Sequence, residues 1–236
     1  MNRIDPETQM ATTWPAAILF DLDGTLIDSV PDITAAVNEL LHTESLPPLP
    51  VEQVRTFIGN GIRMLVKRSY AARNVHLEGA ALDAKNDKMS GIYARHLVEL
   101  TTLMPGVAEA LAYCAARGTK LAVVTNKPQA ATETLLAHFN LTDRFAIVVG
   151  DRDLPRKPEP DMLLHAMAAM GVTPAQTVMV GDSTADIQSA RNARVASVAV
   201  RGGYTNVPLE SLQPGIIIDT MADLPKALPA LFAALS

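Results

Sequence analysis

The stretch from Leu19 to Ser29, Leu-Phe-Asp-Leu-Asp-Gly-Thr-Leu-Ile-Asp-Ser, constrains this chain more than any other. The apolar run before it, Ala16 to Phe20, is short and bounded like a strand buried on both faces. It stops at Asp21, a second carboxylate follows at Asp23, and Gly24-Thr25 turn the chain. A single Asp before Gly is ordinarily a turn residue, but a turn has no need of Asp-x-Asp. Two carboxylates at the end of a buried strand call for a compensating cation. They place an acidic site at the carboxyl edge of the sheet, where open α/β sheets hold their ligands.

The rest of the chain predicts such a sheet. Strand patterns at Lys120–Val124, Phe145–Val149, Thr177–Val180, Ala196–Val200 and Ile216–Ile218 alternate with helical ones. The helices run over Val107–Ala115, Pro128–Phe139, Met162–Met170, Ala185–Ala193 and Met221–Leu235. Between Pro31 and Leu100 the pattern is helical throughout. Apolar residues recur at helical spacing in Ile33, Val37, Leu40 and Leu41, then in Val51–Ile58, Ile62–Tyr70 and Ala80–Glu99. Ser29 is a candidate cap and Pro31 a first helical residue. The fold class is therefore α/β: a Rossmann-like parallel-sheet core with an inserted all-helical cap. Residues 16–29 and 104–236 form the core, residues 30–103 the cap, and residues 1–15 an N-terminal arm with Trp14 packing at its end. The linkers lie at Asp28–Val30 and Thr101–Gly106, and an insertion joined by two adjacent linkers reads as a lid.

Composition narrows the function classes. Apolar residues make up 48% of the 236, enough for a sizeable core. A net charge of −5 argues against nucleic-acid binding. The first residues hold Arg3, Asp5 and Glu7 without the apolar segment of a signal peptide, and no apolar run approaches the roughly 20 residues of a membrane span. Cys114 is the only cysteine and falls on an apolar helix face, so it is core packing in a reducing compartment. The expectation is a cytoplasmic protein, monomer or homodimer, acting on a small molecule.

Three further features fall at or just beyond the carboxyl ends of predicted strands. Thr125 ends Leu-Ala-Val-Val and precedes Asn126-Lys127-Pro128. It reads as an N-cap, as part of an anion site, or as both. Lys157 is flanked in Arg156-Lys157-Pro158-Glu159-Pro160, where prolines set it apart from an ordinary solvated loop lysine. Gly181-Asp182-Ser183-Thr184-Ala185-Asp186 follows Thr177–Val180, with two carboxylates four residues apart on one side of a helix start. Each has a structural reading as a capping or dipole residue; that reading explains the set poorly.

Together these motifs resemble those of the haloacid dehalogenase-type phosphatase superfamily, over nearly the whole chain from Ala16. The helical insertion after the first motif resembles its C1-capped branch. Phe57-Ile-Gly-Asn-Gly-Ile62, Val124-Thr-Asn-Lys-Pro128 and Gly202-Gly-Tyr204 further resemble the bacterial phosphoglycolate phosphatases. The resemblance implies hydrolysis of a small phosphorylated metabolite, 2-phosphoglycolate first, through an aspartyl-phosphate; the alternatives are another C1-capped sugar-phosphate or amino-sugar-phosphate phosphatase, or a phosphomutase. Asp21 would be the nucleophile and Asp23 the acid and base. Mg²⁺ would be held by Asp21, the Asp23 carbonyl and Asp182, with Asp186 in support or as a further ligand. Thr125, Asn126 and Gly24 would line the phosphate, and Lys157 would neutralise charge. An acid at position 23 speaks against dehalogenation, and Lys67, Lys85 and Lys88 read as surface residues more than as Schiff-base lysines. Gly59 and Gly61 would bring a cap loop close to the site. Arg63 is either a solvated helix residue or a donor to a substrate carboxylate, and Arg201 is a second candidate. Relatives usually carry Gly where this chain has Arg194, a left-handed helix end that suits Arg poorly.

Overall fold

In a computed structural model the structure describes residues 14–233; all of the N-terminal arm before Trp14 lies outside them. Six parallel strands form the main sheet in the order β5-β4-β1-β6-β7-β8. They are β1 (Ala17–Phe20), β4 (Lys120–Pro128), β5 (Ile147–Asp151), β6 (Thr177–Gly181), β7 (Ala196–Val200) and β8 (Ile216–Ile218). The run that opened the sequence argument is central: Ala17 pairs with Lys120 on one side and Thr177 on the other.

Alternation along β1 divides its side chains between two faces. Ile18 and Phe20 pack with α5 (Val107–Ala116) and α9 (Leu224–Ala233). Ala17 and Leu19 pack with α7 (Asp161–Met170), where Met162, Met167 and Met170 fill the layer. Cys114 lies in the first of these layers, and burial pushes its thiol up to about 11.

Four helices lie between β1 and the rest of the sheet in sequence: α1 (Val30–His42), α2 (Val51–Arg55), α3 (Ile62–Ala71) and α4 (Gly79–His96). Their apolar faces, carried by Val37, Leu41, Val66, Tyr70, Met89 and Tyr93, are continuous with the core above the sheet. No helix among the described residues is long and apolar enough to cross a membrane.

Two local features depart from the sequence reading. The linkers contain a two-stranded antiparallel ribbon, β2 (Ile27–Asp28) with β3 (Thr102–Leu103), that joins the entry and exit of the helical insertion. Asp32 in the first turn of α1 reinforces it. Its buried carboxylate accepts from the N–H of Leu100 at 2.9 Å and from the N–H and hydroxyl of Thr101 at 2.8 and 2.7 Å. Second, β4 continues past Val124 through an irregular step until Pro128 pairs with Asp151. Helix α6 (Gln129–His138) starts only after that, with Pro128 at its N-cap, so Thr125 caps no helix. Ser29 does occupy the N-cap of α1, but its hydroxyl makes no capping bond. At the described edge of the arm, Trp14 donates from Nε1 to Thr119 at 2.7 Å beneath the Arg117 guanidinium.

Candidate active site

The carboxyl ends of β1 and β6 bring three buried carboxylates together. One oxygen each from Asp21, Asp182 and Asp186 lies within 4.8 Å of the others. Lys157, from the loop after β5, reaches into the group and is itself buried. Its ammonium donates to Asp21 Oδ1 at 2.8 Å, Asp186 Oδ1 at 2.6 Å and the Val124 carbonyl at 2.7 Å. Burial alone would depress this lysine; the Asp186 and Asp21 charges outweigh burial and hold it above its ordinary range.

The positive charge falls short of the negative. Burial, with the Asp186 charge next and Lys157 opposing, lifts the Asp21 carboxyl to about 6. Asp182 is pushed well above its ordinary value by burial and by the Asp186 and Asp21 charges, against bonds from the Tyr204 N–H and Thr25 hydroxyl. An all-oxygen donor set with unneutralised negative charge fits a hard divalent cation. Asp186 has both oxygens engaged. Oδ1 receives Lys157, and Oδ2 receives the N–H and hydroxyl of Ser183 at 3.0 and 2.6 Å in the capping box of α8 (Thr184–Asn192).

Asp23 turns away from this cluster. Lys127, near the end of β4, donates to its two oxygens at 2.9 and 3.0 Å, and the Ser29 hydroxyl donates to Oδ1 at 2.6 Å. Lys127 also donates to the Tyr93 hydroxyl of α4 at 2.5 Å. Thr125 is buried at the cavity floor, and its hydroxyl oxygen accepts the Lys127 N–H at 3.3 Å. The Asn126 amide brackets Lys157: Oδ1 accepts its N–H and Nδ2 donates to its carbonyl, both at 2.9 Å, and Nδ2 also reaches the Gly59 carbonyl at 3.1 Å.

Apart from Thr25, Ser29 and Asp186, which lie behind it, these side chains line one cavity of about 680 Å³, open volume included, roofed by Ile58, Gly59, Gly61, Ile62 and Leu65 of the helical insertion. Gly61, at a φ of +81°, is approached so closely by Arg156 that a Cβ there would lie 2.9 Å from Nη1. The structure does not bring Arg63 to the cavity. Helical phase turns it outward, where it pairs with Asp83 at 2.9 Å. Arg201 likewise pairs with Glu210 and Asp219. Lys67 pairs with Glu78, and Lys85 and Lys88 with Glu44.

Sequence reasoning gave no role to Lys127, Tyr93 or Tyr204. Lys127 stood inside a quoted motif beside Thr125, which was the available signal. Tyr204 donates its N–H to Asp182 at 2.7 Å, while its hydroxyl accepts the Ser29 N–H at 2.8 Å, so it joins the acidic cluster to the linker. Tyr93 is one aromatic on a polar helix, and nothing local in sequence ties it to β4.

Strand-end carboxylates, a buried lysine bridging two of them and a roof of inserted helices are the features of a hydrolase class. The chain belongs to the haloacid dehalogenase-like hydrolase family, whose profile matches residues 18–200. More particularly, it is 39% identical over 213 residues to a phosphoglycolate phosphatase of Caulobacter vibrioides, covering 90% of each chain. It is 38% identical over 216 residues to one from Pseudomonas putida, covering 90% of this chain and 79% of that one. Among solved structures, a predicted phosphoglycolate phosphatase from Haemophilus somnus superimposes with a TM-score of 0.85 at 33% identity, over 92% of this chain and 98% of that one.

Proposed function

We propose that this protein is a Mg²⁺-dependent phosphomonoesterase that hydrolyses 2-phosphoglycolate to glycolate and phosphate. The observation that carries the reaction type is Asp21, a buried carboxylate at the end of the central strand, 2.8 Å from the Lys157 ammonium and facing a cavity shared with Asp23. The substrate follows from the relatives, which match along almost the full chain and bear that activity in their names.

Asp21 is the nucleophile. Its carboxylate attacks phosphorus in line, the bond to the ester oxygen breaks, and an aspartyl-phosphate forms. Asp23, on the leaving-group side, gives its proton to the departing glycolate oxygen. It then takes a proton from the water that attacks the aspartyl-phosphate, releasing phosphate and restoring Asp21. Lys157 stays in place throughout, balancing charge on Asp21 and on the phosphoryl oxygens. Thr125 and the Asn126 N–H hold those oxygens, and the Asn126 amide fixes the Lys157 backbone. Asp21, Asp182 and the Asp23 carbonyl would hold Mg²⁺, with Asp186 bracing Lys157 and the start of α8. When bound, the ion neutralises the phosphate that the carboxylates would otherwise repel. Residues 30–103 would act as a lid, swinging on the ribbon and roofing the cavity once substrate enters.

The test is phosphate release from a generic aryl phosphate with Mg²⁺ present. Asp21→Asn is nearly isosteric and lowers turnover by roughly 10⁴-fold or more, the scale on which losing a nucleophile acts. Turnover near that of the parent protein would remove Asp21 from the chemistry.

A further inference from the structure

We infer that Lys127 and Tyr93 together form the site that recognises a carboxylate on the leaving group, and so select phosphorylated 2-hydroxy acids over other small phosphate esters. The inference rests on the phosphomonoesterase reading and adds to it the residues that set specificity.

The first argument is by charge. Among the described residues lining the cavity, two are cationic, Lys127 and Lys157. Lys157 is held at the nucleophile's end of the cavity by Asp21, Asp186 and the Val124 carbonyl. It serves the phosphoryl end. Neither of the two candidate arginines is available, since Arg63 and Arg201 hold surface carboxylates. A second anionic group on a substrate therefore meets Lys127 or meets no cation. Ile33, Ile58, Ile62 and Leu65 offer it nothing, and the polar groups that also line the cavity, among them Thr125, Asn126 and Ser183, carry no positive charge.

The second argument is by position. Lys127 touches both oxygens of Asp23, at 2.9 and 3.0 Å. Asp23 is the group that meets the leaving oxygen, so Lys127 stands on the leaving-group side. In a phosphorylated 2-hydroxy acid one carbon separates the ester oxygen from the carboxylate, which then falls beside this ammonium.

The third argument concerns donors. One ammonium shared by two carboxylates needs help, and the Tyr93 hydroxyl supplies it. Its oxygen accepts from Lys127 at 2.5 Å, so its own proton is free to be given to a ligand. Burial first of all lifts that phenol to about 12, which keeps the proton in place. Lys127 belongs to the sheet and Tyr93 to α4, so a carboxylate held by both also ties the inserted helices to the core over the bound substrate.

The test compares 2-phosphoglycolate with ethyl phosphate, in which a methyl group replaces the carboxylate, in the Mg²⁺-loaded full-length protein. The parent protein prefers 2-phosphoglycolate in kcat/KM. Lys127→Met lowers that preference about 100-fold, the range of a charged hydrogen bond lost from a buried site. Tyr93→Phe, which keeps the Lys127–Asp23 pair and protects the test against a misfolded Lys127 variant, lowers it about tenfold, mainly through KM for 2-phosphoglycolate. The inference is overturned if either variant, folded by circular dichroism, loses both substrates in equal proportion, because Lys127 would then only position Asp23. It is overturned too if the parent protein shows no preference, an outcome that leaves the phosphatase reading standing. Failure to hydrolyse either ester would instead remove the phosphatase reading itself.

Discussion

Asp182 is held on several sides. The Thr25 hydroxyl donates to Oδ1 at 3.0 Å, the Tyr204 N–H donates to Oδ2 at 2.7 Å, and the Gly24 backbone packs closely against it, while the carboxylate still lines the cavity. Gly24 sits at a φ of +87°, and a Cβ there would lie 2.7 Å from Asp182 Oδ2. Gly24→Ala therefore incurs both a strained backbone and a clash, and the carboxylate has little room to move away. The expected outcome is a folded protein whose half-saturating Mg²⁺ concentration for phosphate release rises about 10- to 100-fold, as when a metal ligand loses its support. An unchanged Mg²⁺ dependence would show that Asp182 does not hold the ion. The same scale explains what the sequence hid. Asp21, Lys157 and Asp182 were legible because Gly or Pro punctuates each, at a strand end for the two aspartates and in the loop after β5 for the lysine. Lys127 reads as another loop charge until β4 is seen to carry it inside. Arg63 looked well placed beside two glycines, but where it points depends on the phase of α3, which is set by what that helix packs against.

At the scale of elements, the end of α8 shows a rule broken and its cost left standing. The Val195 N–H bonds the Ala190 carbonyl at 2.8 Å and the Arg194 N–H bonds the Arg191 carbonyl at 3.0 Å, the paired closure that requires a left-handed residue between helix and strand. Arg194 fills that place at a φ of +59°, with its side chain exposed. Arg194→Gly should stabilise the fold by about 0.5–1 kcal/mol, the left-handed penalty less the extra chain entropy of Gly. An unshifted urea midpoint would mean that Arg194 carries no such penalty. Asp32 works in the opposite direction. Asp32→Ala strands the Leu100 and Thr101 N–H groups and should cost about 3 kcal/mol in urea unfolding. The ribbon it braces was not legible, because two-residue strands carry no periodicity. The longer elements were, since their apolar faces repeat at 2 or 3.6 residues. The helix start at Pro128 was legible to within a residue, but the capping reading of Thr125 was not borne out: Thr-Asn-Lys-Pro looks like a helix entry, yet pairing between Pro128 and Asp151 keeps the chain extended through it.

Across the whole molecule, the candidate site concentrates a liability that a bound cation would remove, and pH exposes it. Asp21 titrates near 6 in the folded protein against an ordinary 3.8, because of burial first and the Asp186 charge second, and Asp182 moves in the same direction. A raised carboxyl pKa means that the folded state binds the proton more tightly than the unfolded chain does. Relative stability is then full below the ordinary value and is lost as pH rises through about 6. Metal-free protein above that pH carries the whole cost of uncompensated carboxylates. A divalent cation relieves it, and at lower pH protons have already relieved much of it. The melting temperature gained on replacing excess chelator with Mg²⁺ should thus be larger at about pH 7.5 than at about pH 5, by roughly 5 °C for a domain of this size. Titrations far from the site, such as His96 between Glu39 and Glu99, act equally with and without the ion and cancel in the difference. Equal gains at the two pH values would mean that Asp21 and Asp182 are not where the ion binds, and the catalytic assignment of the strand-end cluster would fall with it.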